Sequence, residues 1–116
     1  MLLAFSVAPS GQPAAAGQDH AAPQGSHSAD ASVHDAVAAA VKIVRESGLP
    51  NHTDSMFTTI EGEWDEVFAV VKEATEAVGR FGSRVSLVIK ADIRPGYSGE
   101  LTGKVERLEN AIADAG

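Results

Sequence analysis

Hydrophobic and polar positions alternate most clearly near the end of the chain. From Val85 to Ile93 every second residue is apolar, whereas the residues between them are mostly polar. A period of two predicts a strand that turns one face toward a core. A shorter apolar run, Leu2 to Ala8, is stopped by Pro9 and Gly11 and predicts the first strand of the same sheet.

Two segments carry apolar residues at steps of three and four, which is the spacing of an amphipathic helix. The first predicted helix begins at Asp30 or Ser32 and stops before Gly48, and the second runs from about Glu63 to Val78. A short final helix is expected near the C-terminus. The expected apolar faces are Val33, Ala36, Val37, Ala40, Val41 and Val44 in the first helix, Trp64, Val67, Phe68, Val71, Ala74 and Val78 in the second, and Val105, Leu108 and Ile112 in the third.

The segment from Asn51 to Glu61 favours extended chain and predicts two strands with a turn near Asp54-Ser55. The resulting order, β-α-β-β-α-β-α, predicts an α+β, ferredoxin-like sandwich. In that fold a four-stranded antiparallel sheet carries two helices on one face, here with a short C-terminal helix added. The 116 residues have room for one domain, spanning 1–116, in which a flexible loop is expected at about 10–29 because the segment is rich in Gly, Pro, Ala, Ser and Gln.

Composition excludes several partners. The net charge of -7 works against nucleic-acid binding, and the absence of cysteine removes disulfides and thiolate metal sites. No stretch approaches the length of a membrane span, so we expect no membrane partner and a cytoplasmic location.

His20, His27 and His34 recur every seven residues, but Pro23 and Gly25 prevent one helix from aligning them, and no metal site is expected.

The two helices can cover only one face of the predicted sheet. The other face is expected to carry Ser6, Thr59, Glu61 and Lys90 among apolar residues. Such a mixture suits a sheet-to-sheet contact between subunits that encloses a ligand pocket, although a plain dimer interface would explain it as well. A one-residue shift in the register of the third strand would exchange Thr58 for Thr59, and the sequence leaves that choice open.

Five segments carry a resemblance to a known family: Leu3–Pro9, Ile43–Leu49, Met56–Val67, Val88–Arg94 and Leu101–Val105. Together they resemble the thiamine-binding protein family. The resemblance implies a ferredoxin-like domain that binds thiamine or its hydroxymethylpyrimidine moiety without catalysis, and that assembles into dimers of dimers. The family usually has glycine at the position of Phe57, which could stack on a ligand ring or fill its space, and it has a shorter first loop.

No catalytic residue and no cofactor are assigned. Glu61 is expected to pair with the thiazolium cation or the aminopyrimidine edge, unless it contacts the free N–H groups at the start of the second helix. Two other classes stay open: a small cofactor-free enzyme on a dimeric α+β sheet, with Asp92 or Lys90 as further candidate bases, and a purely oligomerising or regulatory domain. The candidate ligand-binding residues are Ser6, Phe57, Thr58, Thr59, Glu61 and Lys90.

Overall fold

A computed structural model describes the backbone of residues 1–12 and 29–115, and the side chains of 1–12 and 33–115. Most of the loop expected at 10–29, the alternative helix caps Asp30 and Ser32, and His20 and His27 lie outside the described residues or side chains. In chain order the elements are β1 (Leu2–Ser10), α1 (Ala29–Glu46), β2 (Asn51–Thr53), β3 (Thr58–Glu61), α2 (Trp64–Val78), a 3-10 turn (Gly79–Phe81), β4 (Arg84–Asp92) and α3 (Glu100–Ala115).

The four strands form one antiparallel sheet in the order β2-β3-β1-β4, which confirms the predicted α+β, ferredoxin-like fold. β1 pairs with β4 along its whole length, from Leu2 to Ser10. On its other side β1 pairs with β3 only as far as Phe5, because β3 begins at Thr58. Among the residues that the structure describes, the second half of β1 therefore has a strand on one side only, which leaves a notch in the sheet.

The core lies between the sheet and the helices α1 and α2. Alternation along β1 turns Leu3, Phe5 and Val7 inward, and Ile60 of β3 lies opposite Leu3 on the same face. The buried cluster comprises Leu3, Phe5, Val7, Ala36, Ala40, Val44, Ile60, Val67, Val71, Ala74 and Val78.

Among the described residues, no helix is long and apolar enough to cross a membrane.

Part of the expected helix burial was wrong. Val33 and Val37 of α1 are partly exposed, and in α2 Trp64 is 54% and Phe68 37% exposed. The two aromatic rings stack on each other instead, with centroids 5.5 Å apart. On this side α2 does not pack closely against β4. A hollow of about 420 Å³ lies between Phe68 and the β4 residues Leu87 and Ile89, which were expected to face the core and are each 38% exposed as well.

The final helix, expected to be short, extends over 16 residues, one more than α2. Glu61, at the end of β3, holds its first turn: the carboxylate accepts hydrogen bonds from the backbone N–H groups of Glu100 at 2.9 Å and Leu101 at 3.1 Å. These N–H groups have no partner within the helix, so Glu61 caps α3 across the tertiary structure. Beyond this first turn, every residue from Lys104 to Ala115 is exposed.

Ion pairs tie the start of α3 to the rest of the chain. Glu100 lies 3.1 Å from Arg107 and 3.5 Å from Arg94, and Asp92 pairs with Lys104. The hydrogen bond from Arg107 is the main cause of a lowered pKa at Glu100, and that from Lys104 is the main cause at Asp92.

We expect acid to loosen α3 before it unfolds the core. A carboxyl group with a lowered pKa in the folded state stabilises that state above its ordinary pKa, and this stabilisation is lost as the pH falls through the folded value. The window therefore opens at the ordinary values of 4.5 for Glu100 and 3.8 for Asp92 and extends below them. Amide chemical shifts of α3 should change in this window, before those of β1. In the double variant Glu100→Gln, Asp92→Asn the early change should disappear, and a simultaneous change of α3 and β1 in the unmodified chain would contradict the expectation.

Candidate functional site

A hollow of about 240 Å³ lies at the notch in the sheet. We call it the notch hollow. One wall is the second half of β1, from Phe5 to Ala8, and the opposite wall is the turn that joins β2 to β3. The helix α1 supplies an aliphatic floor through Val33, Val37 and Val41. The notch hollow thus combines an apolar floor with walls made of backbone and small polar side chains.

The turn between β2 and β3 owes its shape to Asp54. Its Oδ1 atom accepts hydrogen bonds from the backbone N–H groups of Met56 at 2.8 Å and Phe57 at 2.9 Å. Asp and Asn stabilise turns in this way. The bond from Phe57, followed by that from Met56, lowers the pKa of the Asp54 carboxyl group. Asp54 is therefore an anion at neutral pH, and it is the one ionisable side chain among the described residues that line the notch hollow.

Two threonine hydroxyl groups meet beside this turn. The Oγ1 atoms of Thr53 and Thr58 are 3.1 Å apart, and either can be the donor. Thr58 lies opposite Phe5 and is buried, which places it on the helix-covered face of the sheet. A ligand in the notch hollow would therefore meet hydroxyl groups that can each donate and accept.

The backbone of β1 also points into the notch hollow. Met1 and Gly62 exchange two hydrogen bonds, of 2.8 and 3.1 Å, so the backbone groups of Met1, Leu3 and Phe5 face β3. In an antiparallel sheet this direction recurs at every second residue, which turns the N–H and C=O groups of Val7 toward the notch. No residue in ranges 1–12 and 29–115 hydrogen-bonds them. They present one donor and one acceptor side by side.

The structure brings three of the six candidate residues together. Ser6, Phe57 and Thr58 line the notch hollow, but alternation along β1 turns the side chain of Ser6 to the open face of the sheet. Thr59 and Lys90 lie on the open face of the sheet, each opposite Ala4, on strands that flank β1. Those strands are about 10 Å apart, two strand spacings. The register also answers the question that the sequence left open, because it turns Thr59 to the open face and Thr58 to the helix-covered face.

Glu61 lies on the open face opposite Leu2, as alternation predicts, but both of its carboxylate oxygens are bonded to the first turn of α3. The alternative role considered for it, at the start of α2, belongs to Glu63, whose N–H donates to Glu66 at 2.9 Å in a capping box. A second hollow, of about 210 Å³, lies beside Glu61 at the opposite end of β1 from the notch.

Sequence reasoning missed two parts of the notch hollow. Asp54 carries a usable signal, because an aspartate in a tight turn between two strands commonly bonds the backbone ahead of it. The Val7 backbone carries none, since its exposure depends on where β3 stops relative to β1. Within the part of the chain that the structure describes, no three His, Cys, Asp or Glu side chains are grouped closely enough to hold a metal ion.

These features define a small α+β sandwich with a hollow large enough for one aromatic ring. Residues 20–109 match the family model described as thiamine-binding protein, and the chain belongs to this family. Over 81 residues it is 52% identical to the UPF0045 protein Mb1933 of Mycobacterium bovis, covering 69% of this chain and 79% of that protein.

Two solved structures share the fold. The hypothetical protein MJ1052 of Methanocaldococcus jannascii superposes with a TM-score of 0.70 at 23% identity, covering 93% of this chain and 94% of that one. A candidate thiamine biosynthesis/salvage protein of Thermotoga maritima superposes with a TM-score of 0.62 at 21% identity, covering 90% and 96%.

Proposed function

We propose that this protein binds thiamine or its hydroxymethylpyrimidine moiety, with the pyrimidine ring in the notch hollow. The observation that carries the proposal is the notch itself, where β1 extends past β3 and the backbone groups of Val7 face a hollow with an apolar floor. The family description and the naming of the Thermotoga maritima relative as a candidate thiamine biosynthesis/salvage protein supply the ligand class.

The size of the hollow favours the pyrimidine half of thiamine. At about 240 Å³ it is smaller than the roughly 300–1,000 Å³ typical of pockets for drug-sized molecules. One substituted ring fits such a space, whereas two linked rings would extend beyond it. In thiamine the thiazolium ring would therefore lie at the mouth, where the carboxylate of Asp54 can face its positive charge.

The polar walls suit the edge of an aminopyrimidine, which offers N–H donors beside ring-nitrogen acceptors. The backbone of Val7 supplies one donor and one acceptor, and the hydroxyl groups of Thr53 and Thr58, on the helix-covered face, can take either role. Phe57, which is half-buried in the wall, supplies a ring face for stacking. Each element of the ligand thus has a candidate partner.

The same geometry favours binding without catalysis. A general base works best when its pKa lies near the operating pH, and the one ionisable side chain that lines the notch hollow, among those described, is an aspartate with a lowered pKa. Asp54 would stabilise a cation well and abstract a proton poorly.

We also propose that the site operates in a homo-oligomer. Val88 lies opposite Ser6 on the open face of the sheet, where it is 53% exposed, and Leu2 on the same face is only half-buried. Contact between the open faces of two copies would cover these apolar side chains and bring a subunit interface close to the notch.

The variants Thr58→Val and Thr59→Val test the position of the site. The two changes are chemically identical and adjacent, but Thr58 lines the notch hollow whereas Thr59 faces the open side of the sheet. Calorimetric titration with hydroxymethylpyrimidine should show a loss of about 0.5–1.5 kcal/mol for Thr58→Val, or roughly two- to twelvefold in affinity. Thr59→Val should bind as the unmodified chain does.

The opposite pattern, with Thr59→Val weakened and Thr58→Val unaffected, would move the site to the open face. Absence of binding by the folded, unmodified chain to hydroxymethylpyrimidine, thiamine and its phosphates would reject the proposed function itself. Circular dichroism of each variant controls for loss of structure.

A further inference from the structure

The helix α3 leaves its apolar side uncovered. Val105, Leu108 and Ile112 are each between 56 and 58% exposed, and no described residue packs over them. A helix of this length is marginal in water without tertiary packing, so its stability requires something to cover that side. Glu61 caps the first turn of α3, and the rest of the helix does not pack against the chain's own core.

The apolar positions of α3 follow a heptad pattern. Leu101, Val105, Leu108, Ile112 and Ala115 are separated by steps of four, three, four and three residues. This period of 3.5 defines the seam of a coiled coil, with β-branched Val105 and Ile112 at the a positions and Leu101 and Leu108 at d. Within parallel coiled coils, β-branched residues at a combined with leucine at d favour two strands over three or four.

The charges that flank the seam favour a parallel pair. Lys104 occupies a g position and Glu109 the following e position. In a parallel pair in register, each g residue faces the e residue five positions later on the partner, so Lys104 of one copy faces Glu109 of the other. In an antiparallel pair, Lys104 and Glu109 of the two copies would lie on opposite sides of the seam. Lys104 also contacts Asp92 in its own chain, yet its side chain stays 58% exposed.

From this pattern we propose that α3 forms a parallel, two-stranded coiled coil with α3 of a second copy of this chain. The helix matches itself in both seam and charge, which identifies the partner as another copy. Two heptads bury less than the roughly 1,200–2,000 Å² of a standard stable interface, so the coil adds to a larger contact. The open sheet face is continuous with it, because Glu61 and Asp92 on that face hold the first turns of α3.

Single cysteines test the pairing and its direction, since the chain has none of its own. Val105→Cys and Ile112→Cys each place a thiol on the seam at an exposed position, where folding is not at risk. In the parallel pair each cysteine faces its own copy, and both variants should form a disulfide-linked dimer on mild oxidation. Asn110→Cys, on the opposite side of the helix, is the control and should give at least about tenfold less linked dimer at the same time point.

An antiparallel pair gives a different result. Residues 105 and 112 are about 10 Å apart along a helix, beyond the roughly 7 Å between Cα atoms that a disulfide can span. Dimer that formed only when the two variants were mixed would overturn the parallel arrangement. Equal linkage at 110 and 112, or no linkage at any position, would overturn the coiled coil. Leu108→Glu gives a test that needs no oxidation. Its dimer dissociation constant, measured by analytical ultracentrifugation, should be at least about tenfold higher than that of the unmodified chain.

Discussion

Replacing Glu61 with glutamine should destabilise the protein and leave its affinity for hydroxymethylpyrimidine unchanged. The carboxylate is buried, and its two oxygens accept the N–H groups of Glu100 and Leu101. Glutamine keeps one acceptor but turns an amide NH₂ toward the second N–H group, so two donors face each other. Leaving a buried donor unsatisfied costs about 1–3 kcal/mol. We expect a loss of this size in the free energy of unfolding by denaturant titration, with faster amide exchange at Glu100 and Leu101.

Glu66→Gln is the matched control. Its Oε1 also accepts a backbone N–H at a helix start, that of Glu63, but at an exposed position with a single bond. Glutamine is the natural alternative to glutamate in a capping box, so the change in free energy should stay within about 0.5 kcal/mol. Stability retained in Glu61→Gln together with lost ligand affinity would contradict this view and return Glu61 to the role of ligand partner.

The pattern of hydrophobic and polar residues was enough to predict the framework of the fold. The strict alternation near β4, the apolar run of β1 and the two helical stripes predict the elements that the structure contains. The same pattern overestimated burial for Trp64 and Phe68, because periodicity identifies an apolar stripe but not the width of the surface facing it. Burial there depends on how closely β4 packs against α2, which is a property of the completed fold, and the gap between them leaves Leu87 and Ile89 of β4 exposed as well.

The candidate site was predictable only in part, for a related reason. Ser6 and Thr58 could be chosen because hydroxyl groups on strands are visible in the sequence. The partner of Glu61 could not, because Glu100 lies 39 residues further along the chain and is brought near only by the completed fold. The notch likewise arises from a difference in length between β1 and β3, and each strand alone gives no sign of it.

The largest effect on binding is expected from Val37→Trp. Val37 lies on α1, lines the notch hollow and is 38% exposed, so a larger side chain can enter the hollow without displacing the core. An indole there would occupy the space proposed for the pyrimidine ring. The affinity for hydroxymethylpyrimidine should fall at least about a hundredfold, or about 2.7 kcal/mol, in calorimetric titration. Stability should change little, because substitutions at surface positions usually stay within about 0.5 kcal/mol.

Ala38→Trp provides the control for this change. The residue is the next one along α1, is exposed and does not line the notch hollow, so it adds the same indole outside the site. It should bind hydroxymethylpyrimidine as the unmodified chain does. Unchanged binding in Val37→Trp would instead mean that the ring lies elsewhere, and the hollow beside Glu61 would then be the next place to test. Loss of binding in both tryptophan variants would point to a general disturbance of α1, which their melting temperatures would reveal.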